Sequence, residues 1–139
     1  MQFRTRFVRS RSVDWVCVCF TLVGIMGCGG ADPGPPRFPI SGTVNYNGAP
    51  VPHGEIIFEP DAEAGNNGPA TRAVIDNGAY STKKGPGFVG GAMIVRITGT
   101  DGEAGTGTQP HGAPLFKEYT EKVELPKAET TQDFEVPAK

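Results

Sequence analysis

Apolar and polar residues alternate with a period of two along most of the chain after residue 40. In the first such segment, Ile40, Gly42, Val44 and Tyr46 alternate with polar residues. This alternation gives a β-strand one apolar face and one solvated face. The chain also holds 20 Gly and 13 Pro among its 139 residues, and both residue types oppose helix interiors. The pattern therefore predicts an all-β fold.

Two Asn-Gly pairs mark tight turns between the alternating segments. Asn47-Gly48 follows the first predicted strand, and Asn77-Gly78 lies between two later strands. An Asn-Gly pair suits the type I′ turn of a two-residue hairpin, in which both central residues have positive φ. Each pair therefore predicts a β-hairpin.

The alternation predicts about seven short strands, with a long loop after the fifth. The strands span residues 40–46, 55–59, 70–76, 79–82, 91–98, 115–119 with 122–125 (as one or two strands) and 131–136. Their inward-facing residues are Ile56, Phe58, Ala73, Ile75, Tyr80, Met93, Val95, Ile97, Phe134 and Val136, and the strands of residues 115–125 are placed around Tyr119, Val123 and Leu125. Residues 99–114, with five Gly and two Pro, are predicted to form the loop. This arrangement favours one antiparallel β-sandwich domain over residues 40–139.

Residues 1–27 have the features of a secretory signal peptide. Four Arg and no acidic residue stand in residues 1–11, and an apolar run follows at residues 15–26. A helix of that length spans about 18 Å, which is less than the roughly 30 Å hydrocarbon core of a bilayer. A basic head before a short apolar run is typical of an export signal. The alternative is a buried N-terminal helix.

Cys28 stands directly after this apolar run. The sequence Ile25-Met26-Gly27-Cys28 resembles the bacterial lipobox. That resemblance implies cleavage after Gly27 and lipid attachment to the Cys28 sulfur, and two or more acyl chains anchor a protein stably in a membrane. The other two cysteines lie inside the apolar run, so lipidation leaves no thiol for a disulfide or a metal site. The alternative is a free thiol or a disulfide partner at Cys28.

Residues 28–39 are predicted to be a tether between the lipid and the domain. They hold four Pro and three Gly, which exclude a helix or an interior strand. A Pro-rich linker extends by about 3.1 Å per residue, so this one reaches up to ~35 Å. Gly29 is not the acidic retention signal of the enterobacterial kind, and this favours the outer membrane.

Export would leave the mature chain acidic. The whole chain has 13 basic and 15 acidic residues, and residues 1–27 contain four of the basic residues and one of the acidic ones. Their removal leaves nine basic and 14 acidic residues, which is a net charge of −5. Because an acidic domain repels phosphate backbones, no nucleic-acid partner is expected.

Several short motifs of the predicted domain carry a family resemblance. They are Gly42-Thr43-Val44, Asn47-Gly48-Ala49-Pro50-Val51, Phe58-Glu59-Pro60, Asp76-Asn77-Gly78-Ala79-Tyr80 and Val95-Arg96-Ile97. In this respect the chain resembles the carboxypeptidase-regulatory-like, transthyretin-like domain of many small bacterial lipoproteins. The resemblance implies a seven-stranded, prealbumin-like sandwich and brings no catalytic motif.

Catalysis and metal binding have few candidate residues. Outside the signal, Ser41 and Ser81 are the serines and His53 and His111 the histidines, and no Gly-x-Ser-x-Gly elbow surrounds either serine. The chain is therefore predicted not to be an enzyme, with a hydrolase as a remote alternative. No cofactor is expected.

Both histidines stand in Pro-His-Gly segments, and two acidic pairs lie in loops. Zinc held by His53, His111 and a carboxylate remains open, but two ligands far apart in sequence are a weak signal. The acidic pairs Asp61-x-Glu63 and Asp101-x-Glu103 offer oxygen ligands without the spacing of a calcium loop. Solvated side chains are therefore the prediction, with no metal site.

These observations favour a non-enzymatic, lipid-anchored envelope protein with a structural or interaction role. Its partners would be the membrane, through Cys28, and an envelope protein or a glycan; no particular oligomeric state is predicted. The alternative is a carbohydrate-binding module, which needs exposed aromatic rings. The candidates are Phe88, Phe116 and Tyr119, with Tyr46 near a turn, because Trp15 lies in the signal.

Overall fold

The computed structural model describes residues 34–105, 107 and 110–138, and in these residues nine β-strands join in one hydrogen-bonded sheet. The strands are β1 (Ile40–Tyr46), β2 (Ala49–Pro50), β3 (His53–Pro60), β4 (Thr71–Asp76), β5 (Ala79–Ser81), β6 (Gly91–Thr100), β7 (Tyr119–Leu125), β8 (Thr130–Thr131) and β9 (Phe134–Val136). A 3-10 turn, Ala62–Ala64, follows β3. The prediction of an all-β fold is therefore confirmed. The predicted signal peptide, Cys28 and the first half of the predicted tether lie outside the described residues.

The main path of the sheet runs β2-β1-β5-β4-β3-β6-β7, and every neighbouring pair on it is antiparallel. The longest ladders join β3 to β4 and β6, and β6 to β7. The β3–β6 ladder extends from His53 opposite Thr100 to Pro60 opposite Met93. Strands β8 and β9 lie off this path, and both pair with β1 in parallel.

Strand β1 changes its partners along its length. Its first half pairs with β5 and β8, and its last residues pair with β2 and β9. Gly42 makes this exchange possible, since a Cβ at this position would collide with the backbone carbonyl of Gln132, between β8 and β9. The Tyr80 hydroxyl donates a hydrogen bond of 2.7 Å to the same carbonyl oxygen. A glycine on β1 and a tyrosine on β5 thus hold the C-terminal strands against the sheet.

The core is built around Phe58 on β3. Its ring centroid lies 5.8 Å from that of Tyr80, 6.1 Å from that of Phe88 and 6.2 Å from that of Phe134. Strands β4, β5 and β1 separate β3 from β9 in the sheet. The ring of Phe58 therefore reaches that of Phe134 only because the sheet curls into a half-barrel around its apolar face.

The alternation predicted the inward faces of the long strands correctly. In β6, Met93, Val95 and Ile97 are buried, and in β4, Ala73 and Ile75 are buried. Both Asn-Gly hairpins are also confirmed, because all four central residues have φ between 50° and 80°.

Three local predictions were wrong. Phe88, expected to be exposed, is fully buried, because its backbone N–H and C=O pair with those of Phe38 at 2.9 and 2.8 Å. The predicted loop 99–114 is shorter, since β6 continues to Thr100 opposite β3. The segment before Tyr119 forms no regular strand, although Pro114 bridges Thr100. Strand β2 was not predicted.

Asp61 ties the turn after β3 to β7. One carboxylate oxygen accepts hydrogen bonds from the backbone N–H groups of Glu63 and Ala64 at 3.1 and 3.4 Å. The other lies 2.9 Å from the Lys122 ammonium. The hydrogen bond from Lys122 holds the pKa of Asp61 below its ordinary value; burial opposes this effect, and the two backbone bonds add to it.

Asp61 is therefore expected to make the protein sensitive to acid. A carboxyl group with a lowered pKa stabilises the folded state above its unfolded pKa, near 3.9, and loses that contribution as the pH falls through the folded pKa. Asp61→Asn should reduce the melting temperature at pH 7 and leave it nearly unchanged at pH 2. Thermal unfolding followed by circular dichroism tests this, with Glu124→Gln, an exposed carboxylate on β7, as the matched control. Equal losses at both pH values would contradict the assignment.

Candidate functional site

A cleft lies at the end of the sheet where β1 and β9 finish and β7 begins. It has a volume of about 380 Å³. Its lining residues are Tyr46, Phe116, Lys117, Glu118, Tyr119, Val136 and Pro137. We call it the aromatic cleft. It is built by topology: β1 and β7 lie near opposite ends of the strand path, and the curl of the sheet brings their termini together.

Two of the aromatic rings pack against each other. The centroids of Tyr46 and Phe116 are 5.0 Å apart, with the ring planes inclined by 36°. Phe116 also lies over Gly99 of β6, where a Cβ would come within 2.8 Å of the ring and 2.7 Å of a Val51 methyl group. Gly99 thus leaves the space that the Phe116 ring occupies.

The rim of the aromatic cleft combines hydroxyl and charged groups. The Tyr119 hydroxyl donates to a Glu121 carboxylate oxygen at 3.3 Å. Partial burial, together with the Glu121 charge, raises the pKa of Tyr119, so this phenol is neutral at physiological pH. The Glu118 carboxylate lies 3.1 Å from the Arg96 guanidinium, which also binds Glu59 at 3.1 Å. These carboxylates raise the pKa of Arg96. The rim therefore offers donors and acceptors beside an aromatic floor.

The two histidines meet on the surface, although they are far apart in sequence. His53 begins β3 and His111 lies in the loop between β6 and β7. Their ring centroids are 3.8 Å apart, and the ring planes are inclined by 28°. We call them the histidine pair. Within residues 34–105, 107 and 110–138, no group of three or more His, Cys, Asp or Glu side chains is arranged to hold a metal ion.

The acidic loops have structural partners. Asp61 and Glu63 both bind the Lys122 ammonium, at 2.9 and 3.1 Å. One Asp101 carboxylate oxygen accepts the backbone N–H groups of Glu103 and Ala113, at 3.1 and 3.2 Å. These carboxylates stabilise turns.

Neither serine lies near the histidine pair. Ser41 and Ser81 face each other across β1 and β5, whereas His53 is on β3. Strand β4 separates β5 from β3, and two strand spacings amount to about 10 Å. The described residues thus bring together no serine–histidine couple, and a nucleophile of that kind is not assembled.

The structure brings three of the four predicted aromatic candidates into one place. Tyr46, Phe116 and Tyr119 line the aromatic cleft, and Phe88 belongs to the core. Sequence reasoning missed Val136 and Pro137 at the cleft, because only the parallel pairing of β9 with β1 brings them there.

No model of a known protein family matches the sequence, and neither does any curated protein. In the described part of the chain, no helix has the length and apolar character needed to span a membrane.

Gly99 is expected to control the shape of the aromatic cleft. Gly99→Ala should push Phe116 away from Tyr46 and destabilise the fold by about 1–3 kcal/mol, the usual cost of overpacking. Chemical unfolding and the near-ultraviolet circular dichroism of the aromatic rings measure the two effects. Gly85→Ala is the control, because the nearest atom to its added Cβ lies 3.6 Å away. A Gly99→Ala protein with wild-type stability and spectrum would refute this packing.

Proposed function

We propose that this chain is an exported, lipid-anchored protein of the bacterial cell envelope, whose β-domain binds a ligand without catalysis. The export signal at residues 1–27 and the lipobox ending at Cys28 support the anchor. Because Gly29 is not an acidic retention signal, it supports the outer membrane as the membrane that holds the anchor. The aromatic cleft is the observation that carries the binding role.

We also propose that the curled sheet is a transthyretin-like sandwich. The exchange of partners along β1 supports this, since its first half pairs with β5 and β8 and its last residues pair with β2 and β9. The motifs around Gly42, Asn47-Gly48 and Phe58-Glu59-Pro60 support it independently.

The path of β1 suits a tethered binding module. The strand that follows the tether begins at Ile40 and ends at Tyr46, in the aromatic cleft. Seven residues of strand cover roughly 20 Å, so the cleft lies about that far from the point where the chain enters β1. The tether before this strand would then hold the cleft away from the membrane surface.

A glycan is the ligand class that the aromatic cleft suits best. Sugar rings present apolar C–H faces, which pack on aromatic rings, and hydroxyl groups, which need polar partners. Tyr46, Phe116 and Tyr119 provide rings, while Lys117 and Glu118 provide charged partners at the rim. A largely apolar concave site with a few polar groups is the usual form of a small-ligand site. An envelope protein is the competing partner.

The anchor has a direct test. Cys28→Ser should move the protein from the membrane fraction to the soluble fraction, because the acyl chains have no other point of attachment. Membrane fractionation followed by immunoblotting measures this, and a β-type circular dichroism spectrum shows that the variant is folded. Ser12→Ala, which also lies inside the predicted export segment and removes a single polar atom, is the control. A Cys28→Ser protein that still sediments with membranes would refute lipid anchoring.

The aromatic cleft has a separate test. Full-length protein is screened on a glycan array, and the affinity for the glycans that bind is then measured by calorimetry. Tyr46→Ala and Phe116→Ala should each weaken binding at least about tenfold. Val74→Ala is the control, since Val74 is 61% exposed and lies outside the cleft. A blank array, or equal losses in the control, would contradict glycan binding at this cleft and leave a protein partner.

A further inference from the structure

The histidine pair is held in place from both sides. His53 lies opposite Thr100 in the β3–β6 ladder. The loop that carries His111 is closed at its base, where Asp101 and Ala113 are joined by hydrogen bonds of 3.1 and 3.2 Å. The backbone N–H of Leu115 also donates to the Gly99 carbonyl oxygen at 2.9 Å. Strand and loop therefore hold the backbones of the two histidines next to each other.

The two imidazoles lie within reach of one metal ion, although their stack must open to bind it. Imidazole nitrogens bind zinc at about 2.0–2.1 Å, so two of them at a tetrahedral centre lie about 3.4 Å apart. The ring centroids of His53 and His111 are 3.8 Å apart in a stack inclined by 28°. Because the nitrogen lone pairs lie in the ring planes, binding turns the exposed ring of His111 out of the stack until its nitrogen faces the ion that His53 holds.

The histidine pair is open to solvent and has one carboxylate nearby. The rings face an open cleft of about 350 Å³, whose other lining residues include Glu55, Thr98 and Thr100. Glu55 is the only charged side chain among the residues that line it, and its Arg72 partner lies 3.4 Å away on β4. Water reaches the rings freely, because His111 is exposed and His53 is partly exposed.

We propose that His53 and His111 form a binding site for a divalent transition metal of the zinc and copper class. Imidazole is a preferred ligand for these metals. The two rings supply two ligands, and water supplies the others, which accords with the lack of a third protein ligand in the described residues. This site is distinct from the aromatic cleft, so it stands or falls independently of the proposed function.

Bound metal would join the β6–β7 loop to β3. The same loop continues from His111 to Phe116, which forms part of the aromatic cleft. A metal on the histidine pair therefore restrains the chain that delivers Phe116. Amide hydrogen exchange in residues 110–116 is expected to slow when zinc is added.

Metal titration of the full-length protein in detergent tests the proposal. Zinc binding is measured by competition with a chromogenic chelator, and copper binding by electron paramagnetic resonance. We expect one site per chain, with hyperfine structure from two imidazole nitrogens. His53→Gln and His111→Gln should each weaken zinc binding at least tenfold and remove one nitrogen from the copper spectrum.

The controls separate this site from adventitious binding. The double variant His53→Gln/His111→Gln reports binding by the rest of the chain, cysteine thiols included. Glu63→Gln, in an acidic loop, should bind zinc like the wild type. Circular dichroism shows whether each variant is folded, and His111→Gln, in an exposed loop, keeps the test valid if His53→Gln unfolds. Equal zinc affinity in the wild type and the double variant, or no binding at millimolar zinc, would overturn the proposal.

Discussion

A single curled sheet must fill its own concave face, and in this protein the ring of Phe58 occupies the centre of that face. Rings from three other segments surround it, contributed by β5, the segment between β5 and β6, and β9. Interiors pack as densely as organic crystals, so the volume of these rings sets how tightly the sheet closes. The same curl brings the start of β7 toward the end of β1. The aromatic cleft thus depends on a core residue that does not line it.

Local sequence patterns predicted the strands well, since a period of two is a property of consecutive residues. The buried faces of β4 and β6 and both type I′ turns follow from it. Pairing between strands that are far apart in the chain produces no comparable pattern in consecutive residues. The parallel contact of Val44 with Phe134 joins residues far apart in the chain. Gly99 resembled a loop residue because its lack of a side chain, needed for Phe116, also breaks the alternation.

For the candidate sites as well, the sequence identified the residue types but not which of those residues come together. Tyr46, Phe116 and Tyr119 were identified as available aromatic residues, but their convergence follows from the curl of the sheet. Phe88 was predicted to be exposed because the flanking glycines make the segment resemble a loop, and the sequence gives no sign of its bridge to Phe38. The histidine pair arises where the β3–β6 ladder places His53 beside the base of a loop. Residue type indicates which side chains are available for a site, and strand register decides which of them meet.

The position of β9 has a practical consequence for handling the protein. This strand ends at Val136, and Pro137 forms part of the wall of the aromatic cleft. A peptide inserted directly after Pro137 would begin at that wall. A purification tag placed there would compete with ligands for the cleft, and a negative binding result obtained with such a fusion would carry little weight. An affinity sequence inserted in the turn at Lys83–Lys84, beside the start of β1, would leave the cleft open.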